Sequence, residues 1–336
     1  MSLPLAFPYP PMEAESTDAL PSGPGWQFEP KWDGFRCLAF RDGDTVRLQS
    51  KAGKPLGRYF PDVVESLGSL DAKRFVLDGE IVIPVNGRLS FDELLLRVHP
   101  AESRVRTLVA AHRARLVVFD LLVDERGRSL VKRPLEERRK RLDAFAKQHL
   151  KQHLRGKSIV LSRSTRRAAT ARTWLESGGQ GDLDGVVAKR LDLPYRSGER
   201  DGMLKVKRQR TADCVVGGFR YATKGRAVGS LLLGLYDDGG LLNHVGFCSS
   251  LSAAERKGLT ERLERLRKPP GFTGRAPGGP SRWSTERSAQ WEPLAPKLVV
   301  EVGYDHVSGG RFRHGTRFVR WRPDKAPEQC RMEQLK

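Results

Sequence analysis

Apolar and polar residues alternate through WQFEPKWDGFRCLAF and again through TVRLQS, on either side of Arg41-Asp42-Gly43-Asp44. That pattern predicts two strands joined as a hairpin by a tight Asp-Gly turn. FVLDGEIVI, RLVVFDLL, SIVLS and LDGVVAKRL also have strand character. Between them, PDVVESLGSL, FDELLLRV, PLEERRKRLDAFAKQHL and AATARTWLES repeat their apolar positions at helical spacing. Pro134, with Glu136 and Glu137 behind it, marks a helix start. The charge run Lys205-Val206-Lys207-Arg208-Gln209-Arg210 closes this mixed region. Beyond it, ADCVVGGFRYA, SLLLGLY, LLNHVGFC, KLVVEVGYDHV and RFVRWR read as strands, with one helix, AAERKGLTERLERL, and a loop, KPPGFTGRAPGGP.

The change of pattern divides the chain near residue 209, and 336 residues are enough for two cores. Residues 1–209 predict an α+β domain of antiparallel sheets with helices. Residues 210–336, with five short strands and one helix, suit a Greek-key barrel of the OB-fold type. Lys and Arg total 60 against 40 Asp and Glu, a net charge of +20, and 42 of the cations are Arg. Both parts are basic, +11 and +9. Guanidinium forks match phosphate oxygens, so the composition points to a polyanion, nucleic acid before lipid; an Arg-rich solvated surface would look the same. No stretch approaches the roughly 20 apolar residues of a membrane span. MSLPLAFPYPPMEAES lacks the basic start and apolar run of a signal peptide. Cys37, Cys214, Cys248 and Cys330 never form C-x-x-C, which excludes a zinc ribbon and suits a reducing cytoplasm. His149 and His153 are spaced like metal ligands but lack a carboxylate partner, which favours a solvated helix face.

The strongest chemical signal is Lys31-Trp32-Asp33-Gly34-Phe35-Arg36. A lysine at a strand end, followed by a turn and an arginine, sets a nucleophile beside a phosphate-binding cation. Its amine can form a phosphoramidate once nearby positive charge or a metal favours the neutral form. Alone, the pattern is equally that of an exposed lysine before a hairpin turn. Other segments follow in order: Leu77-Asp78-Gly79-Glu80-Ile81, Val118-Phe119-Asp120-Leu121, Leu183-Asp184-Gly185-Val186-Val187-Ala188-Lys189, Leu204-Lys205-Val206-Lys207 and Arg322-Pro323-Asp324-Lys325.

This ordered series, spanning Glu29 to Lys325, resembles the covalent nucleotidyltransferases and most closely the ATP-dependent DNA ligases. The resemblance implies an adenylation domain followed by an OB-fold DNA-binding domain, and the sealing of 5′-phosphate/3′-hydroxyl nicks through a lysyl-AMP and a DNA-adenylate. Lys31 would attack the α-phosphate of ATP and carry the AMP. Glu29 would read the adenine amino group, Phe119 would stack on the purine and Arg36 would bind the ribose or 5′-phosphate side. Glu80 and Asp184 would hold the sugar or a Mg²⁺ or Mn²⁺ ion, and Lys205 and Lys207 the α-phosphate. Lys51 and Lys189 complete the implied nucleotide set. Arg322, Asp324 and Lys325 match a last motif that the small domain brings over ATP before rotating to clamp DNA, about a hinge at 208–211.

Departures from the family pattern are Asp184 in place of Glu, Met203-Leu204 in place of an aromatic, and Lys51 in place of Arg. The last turns a bidentate contact into a point charge. YFPDVV, RVHPAESRVR, KVKRQRTADCVVGGF and RFRHGTRFVRWRPDK are similar to the small stand-alone ligase C type of actinobacteria. That likeness implies repair beside polymerases or primases, a cytoplasmic, nucleoid-associated location and a monomer. An RNA ligase, a capping guanylyltransferase and a non-catalytic DNA-binding scaffold remain the competing readings; an NAD-dependent ligase lacks its zinc cysteines here.

Overall fold

The computed structural model describes residues 3–150, 158–177, 183–208, 210–223, 225–256, 258–278 and 290–335. They fall into two compact units, Met1–Arg208 and Gln209–Lys336. No helix among the described residues is long and apolar enough to cross a membrane.

Strands of the first unit are β1 (Glu15–Thr17), β2 (Trp26–Trp32), β3 (Phe35–Asp42), β4 (Thr45–Ser50), β5 (Arg74–Val82), β6 (Pro84–Val85), β7 (Arg88–Leu89), β8 (Arg115–Val123), β9 (Ile159–Leu161), β10 (Leu183–Arg190) and β11 (Met203–Lys207). A four-stranded sheet runs β1-β11-β10-β2 and a five-stranded sheet runs β4-β3-β5-β8-β9. Period-2 alternation sorts their side chains. On the larger sheet, Cys37, Ala39, Phe75, Leu77, Leu116 and Val118 pack with Val63 and Leu67 of the helix Pro61–Gly68 and with Leu142 and Phe145 of the helix Leu135–His149. Leu38, Phe40 and Val76 point the other way, joining Met12, Tyr195, Met203 and Val187 in a core shared with the smaller sheet. The outer face of that smaller sheet buries Phe28, Val186 and Ala188 under Ala171 and Trp174 of the helix Ala168–Ser177. Two sheets thus lie between helical layers, and the residues that alternate with each core face the space between the sheets.

The hairpin of β3 and β4 forms with Asp42 opposite Thr45, and Gly43 adopts φ +62° in its turn. The strand before it is not continuous, however. Asp33-Gly34 breaks WQFEPKWDGFRCLAF into β2 and β3, which belong to different sheets. A Cβ at Gly34 would collide with the Ile81 carbonyl oxygen, so the crossing between sheets needs glycine there. Alternation alone carries no sign of such a break, because both halves keep the same period. Lys205 and Lys207, in the charge run that closes the mixed region, lie on β11. A further helix, Glu102–Ala111, has a polar pattern that buries only Val105. His149 is not on a solvated face: its ring packs on Phe145 with centroids 4.9 Å apart, and Nδ1 stands 2.7 Å from Asp71 Oδ1. His153 lies outside the described residues.

In the second unit, β12 (Arg210–Tyr221), β13 (Val228–Tyr236) and β14 (Leu242–Cys248) form a meander, followed by β15 (Glu292–Pro293), β16 (Val299–Tyr304), β17 (Val307–Ser308), β18 (Arg311–Phe312) and β19 (Arg317–Trp321). The sheet order is β14-β13-β12-β16-β19. A parallel bridge between Cys248 and Thr316, with Thr316 N donating to Phe247 O at 3.0 Å, joins its two ends. This 3-2-1-4-5 order, closed by a parallel contact between its third and fifth strands, is the OB-fold barrel. The single helix expected over AAERKGLTERLERL is two short ones, Ala253–Arg256 and Leu259–Glu264. Gly258 at φ +70° ends the continuity, since a left-handed residue cannot propagate a right-handed helix. All four cysteines are buried free thiols.

One buried pair tests the packing of the first unit. Arg97 and Asp62 are 1% and 2% exposed, and the guanidinium also donates to Tyr59 O and His112 O. Asp62→Ala would strand this charge, and loss of about 3–5 kcal/mol is expected in urea unfolding of the first unit.

Candidate functional site

Between the two sheets of the first unit lies a cavity of about 230 Å³. Glu29, Lys31, Arg36, Lys51, Glu80, Phe119, Lys189 and Lys205 line it, bringing together most of the first-unit residues that sequence singles out. Strand register explains how. On the smaller sheet, β2, β10 and β11 place Glu29, Val187 and Lys205 in one cross-strand row and Lys31, Gly185 and Lys207 in the next. Gly185, at φ +147°, leaves that second row open between its two lysines, and a Cβ there would collide with Val206 O. On the larger sheet, Arg36 lies opposite Glu80.

Asp184 reaches Lys31 through an irregularity. The register of β10 shifts between Leu183 and Gly185, so Leu183 packs with the outer core and Asp184 turns to Lys31. A bulge re-aims a side chain in this way. Asp184 Oδ2 accepts from Lys31 Nζ in a short ion pair and lies 4.0 Å from Lys207 Nζ. Burial lowers the pKa of Lys205, and the neighbouring charges of Lys31, Lys51, Lys207 and Arg200 add to the shift.

Phe119, 8% exposed, carries two cations over its ring: Arg36 Cζ at 4.7 Å and Lys189 Nζ at 4.4 Å from the centroid. Each cation has its own carboxylate. Lys189 donates to Glu29 Oε2 at 2.8 Å, and Gln27 Nε2 donates to Glu29 Oε1 at 2.8 Å. Arg36 forks onto Asp78, Nε to Oδ1 and Nη2 to Oδ2 both at 2.6 Å. Asp78 also accepts from Tyr195 Oη at 2.7 Å, and that hydroxyl accepts from Met12 N at 2.9 Å. Burial disfavours the Arg36 charge, but Asp78 outweighs it and raises the pKa. Burial pushes the Glu80 carboxyl up to about 7, against the pull of Arg36 and Lys31.

Asp78, Tyr195, Gln27 and residues 11–14 at the cavity wall escape the reading from sequence. Asp78 had a signal, since it stands two residues before Glu80 and shares its face of β5. Tyr195 and the wall segment had none, because the bonds that bring them here, Tyr195 to Asp78 and to Met12, join residues more than a hundred positions apart. Arg322, Asp324 and Lys325 belong to the second unit. There Arg322 Nη1 donates to Asp213 Oδ1 at 2.8 Å and Lys325 Nζ to Asp213 Oδ2 at 2.6 Å. Arg322 Nη2 also donates to Asp324 Oδ2 at 2.8 Å.

The ATP dependent DNA ligase domain family matches residues 11–207, and the ATP dependent DNA ligase C terminal region matches 224–325. DNA ligase C1 of Mycolicibacterium smegmatis is 43% identical over 345 residues, covering 100% of this chain and 96% of its own. The chain belongs to the ATP-dependent DNA ligases. The ligase is also 41% identical to DNA ligase C of Mycobacterium tuberculosis, over 100% of this chain and 96% of that one. Among solved structures, mycobacterial DNA ligase D complexed with ATP and MES superposes with a TM-score of 0.50 at 29% identity. That match covers 96% of this chain and 97% of the other.

In this ligase, Phe119 offers an aromatic surface flanked by two cations in the cavity wall. On the expectation that the purine stacks on this ring, Phe119→Leu should weaken ATP binding roughly tenfold; isothermal titration checks both the size and the direction.

Proposed function

We propose that Lys31 is the nucleophile of a three-step ligation. Lys31 Nζ bonds to the α-phosphorus of ATP as the bond to pyrophosphate breaks. The 5′-phosphate of a nick then takes the AMP as the N–P bond breaks. The 3′-hydroxyl finally attacks this activated phosphate, the phosphodiester forms and AMP leaves. What carries the assignment is one observation: Lys31 Nζ faces the cavity, paired with Asp184, in a row with Lys207 and beside Lys205. Asp184 holds the amine in place, so this pair must open before attack. Lys205 and Lys207 lie where charge grows on the α-phosphate, and fixed cations act most strongly there because they need no reorganisation.

Phe119 takes the purine, with Glu29 and Lys189 at its edge. Arg36, held by Asp78, takes the sugar side, and Lys51 a phosphate. Arg322, Asp324 and Lys325 act on ATP when the second unit turns toward it. Glu80 and Asp184 would hold a divalent ion: both are hard oxygen donors, Glu80 in the cavity wall and Asp184 against Lys31. When bound, that ion supplies neutralisation of phosphate charge. The units act as adenylation domain and OB-fold DNA-binding domain, and the substrate is nicked duplex DNA in repair. The ligase acts as a cytoplasmic, nucleoid-associated monomer beside repair polymerases or primases.

Intact-mass spectrometry after incubation with ATP and Mg²⁺ is expected to show one added AMP, acid-labile and absent from Lys31→Ala. An adduct that persists in that variant removes Lys31 from this role, and labelling by GTP alone moves the protein to the capping branch. Discharge should require a 5′-phosphorylated nick. Nick affinity should fall steeply with salt, because each neutralised phosphate releases counterions; a flat log–log plot contradicts a backbone-reading surface.

A further inference from the structure

The mouth of the cavity holds an acid that none of these roles uses. Glu13 Oε2 lies 3.0 Å from Lys51 Nζ and 3.2 Å from Arg200 Nε. One oxygen between an ammonium and a guanidinium sits where a phosphate oxygen would sit. Glu13 and Lys51 both line the cavity, and Lys51 and Arg200 are close enough to Lys205 to bear on its ionisation. The Glu13 backbone cannot drift from Arg200. Glu13 N donates to Glu199 O at 2.8 Å, Gly198 N to Pro11 O at 3.2 Å and Ser197 Oγ to Pro10 O at 2.6 Å. Only the side chain is free to swing.

Lys51 and Arg200 are 58% and 70% exposed, so these ion pairs add little to stability and exchange readily with solvent or another anion. The hydrogen bond from Lys51 leads in holding the Glu13 carboxyl below its ordinary range, which keeps it charged at neutral pH. A structural staple is better served by the backbone bonds already named.

We propose that Glu13 is a built-in competitor for phosphate: it holds Lys51 and Arg200 while the mouth is empty and yields them to an incoming phosphate, which makes Arg200 a phosphate-binding residue of this site. The inference rests on the ligase reading of the cavity. The phosphate is either the polyphosphate tail of ATP or the 5′-phosphate of the nick, which share one chemistry. A doubly charged phosphate outcompetes a single carboxylate for two cations, but the fraction of molecules with Glu13 seated raises the concentration needed for half-saturation.

Two assays separate the sources. Single-turnover AMP transfer to Lys31 yields the half-saturating ATP concentration. Sealing by pre-adenylated protein yields the half-saturating concentration of nick. Glu13→Gln, which keeps the shape and removes the charge, is expected to lower one of them roughly fivefold, the limit for exposed pairs. Arg200→Gln should raise the same one. The assay that moves identifies the phosphate. In an Arg200→Gln/Lys51→Gln background the Glu13→Gln effect should vanish, since the competitor then has nothing to hold. Half-saturation unchanged in both assays, or an effect that survives in that background, overturns the proposal. Absence of AMP transfer in the unaltered chain is instead a failure of the ligase reading.

Discussion

Positive charge gathers in the cavity of the first unit at a density that water alone would have to screen, yet several of these groups are shut away from water. Lys189 and Arg36 are tolerated because Glu29 and Asp78 meet them with good hydrogen-bond geometry. A buried charge without such a partner would cost several kcal/mol. Lys31 is met by Asp184, and Lys51 by Glu13. The rest of the site follows from this pairing of each cation with its carboxylate.

The pairing sorts the residues into two classes. Deep in the cavity, Glu29 accepts one hydrogen bond each from Lys189 and Gln27, Asp78 accepts two from Arg36 and one from Tyr195, and the two cations lie over the Phe119 ring. The two ion pairs can persist, but a base that stacks on Phe119 must take the place of a cation over the ring face it covers. Toward the opening, Lys31 pairs with Asp184 and Lys51 with Glu13, and in the proposed function phosphate competes for these cations. The pairs are then exchangeable, because phosphate offers the same donors more charge. A rigid apolar end and an exchangeable ionic end suit a nucleotide, which is itself flat and aromatic at one end and anionic at the other.

Much of this was legible before any coordinates. Alternation placed β3, β4, β5, β8, β10 and the barrel strands, and the ordered series from Lys31 to Lys325 identified the chemistry. The failures have specific causes. Asp33-Gly34 divides one alternating stretch between two sheets, and period 2 is blind to that. Gly258 splits a helix whose apolar spacing continues across it. Helix Glu102–Ala111 buries too little to leave an apolar stripe. Asp78 was quoted within its motif but given no task, since a carboxylate that supports an arginine looks in sequence like any strand-end acid.

The sequence by itself determined the ligase family, the order along the chain of the strands that hold its motifs and the basic character of both units. It could do so because motif chemistry and strand period are local properties of the chain. Tertiary structure alone decided which carboxylate meets which cation. Asp184 turns to Lys31 through a bulge, Tyr195 reaches Asp78 from the far end of the unit, and Glu13 arrives at Lys51 and Arg200 on a segment pinned by backbone hydrogen bonds. Those pairings depend on distances between residues remote along the chain, and Coulomb energy is set by distance in space rather than by separation in sequence.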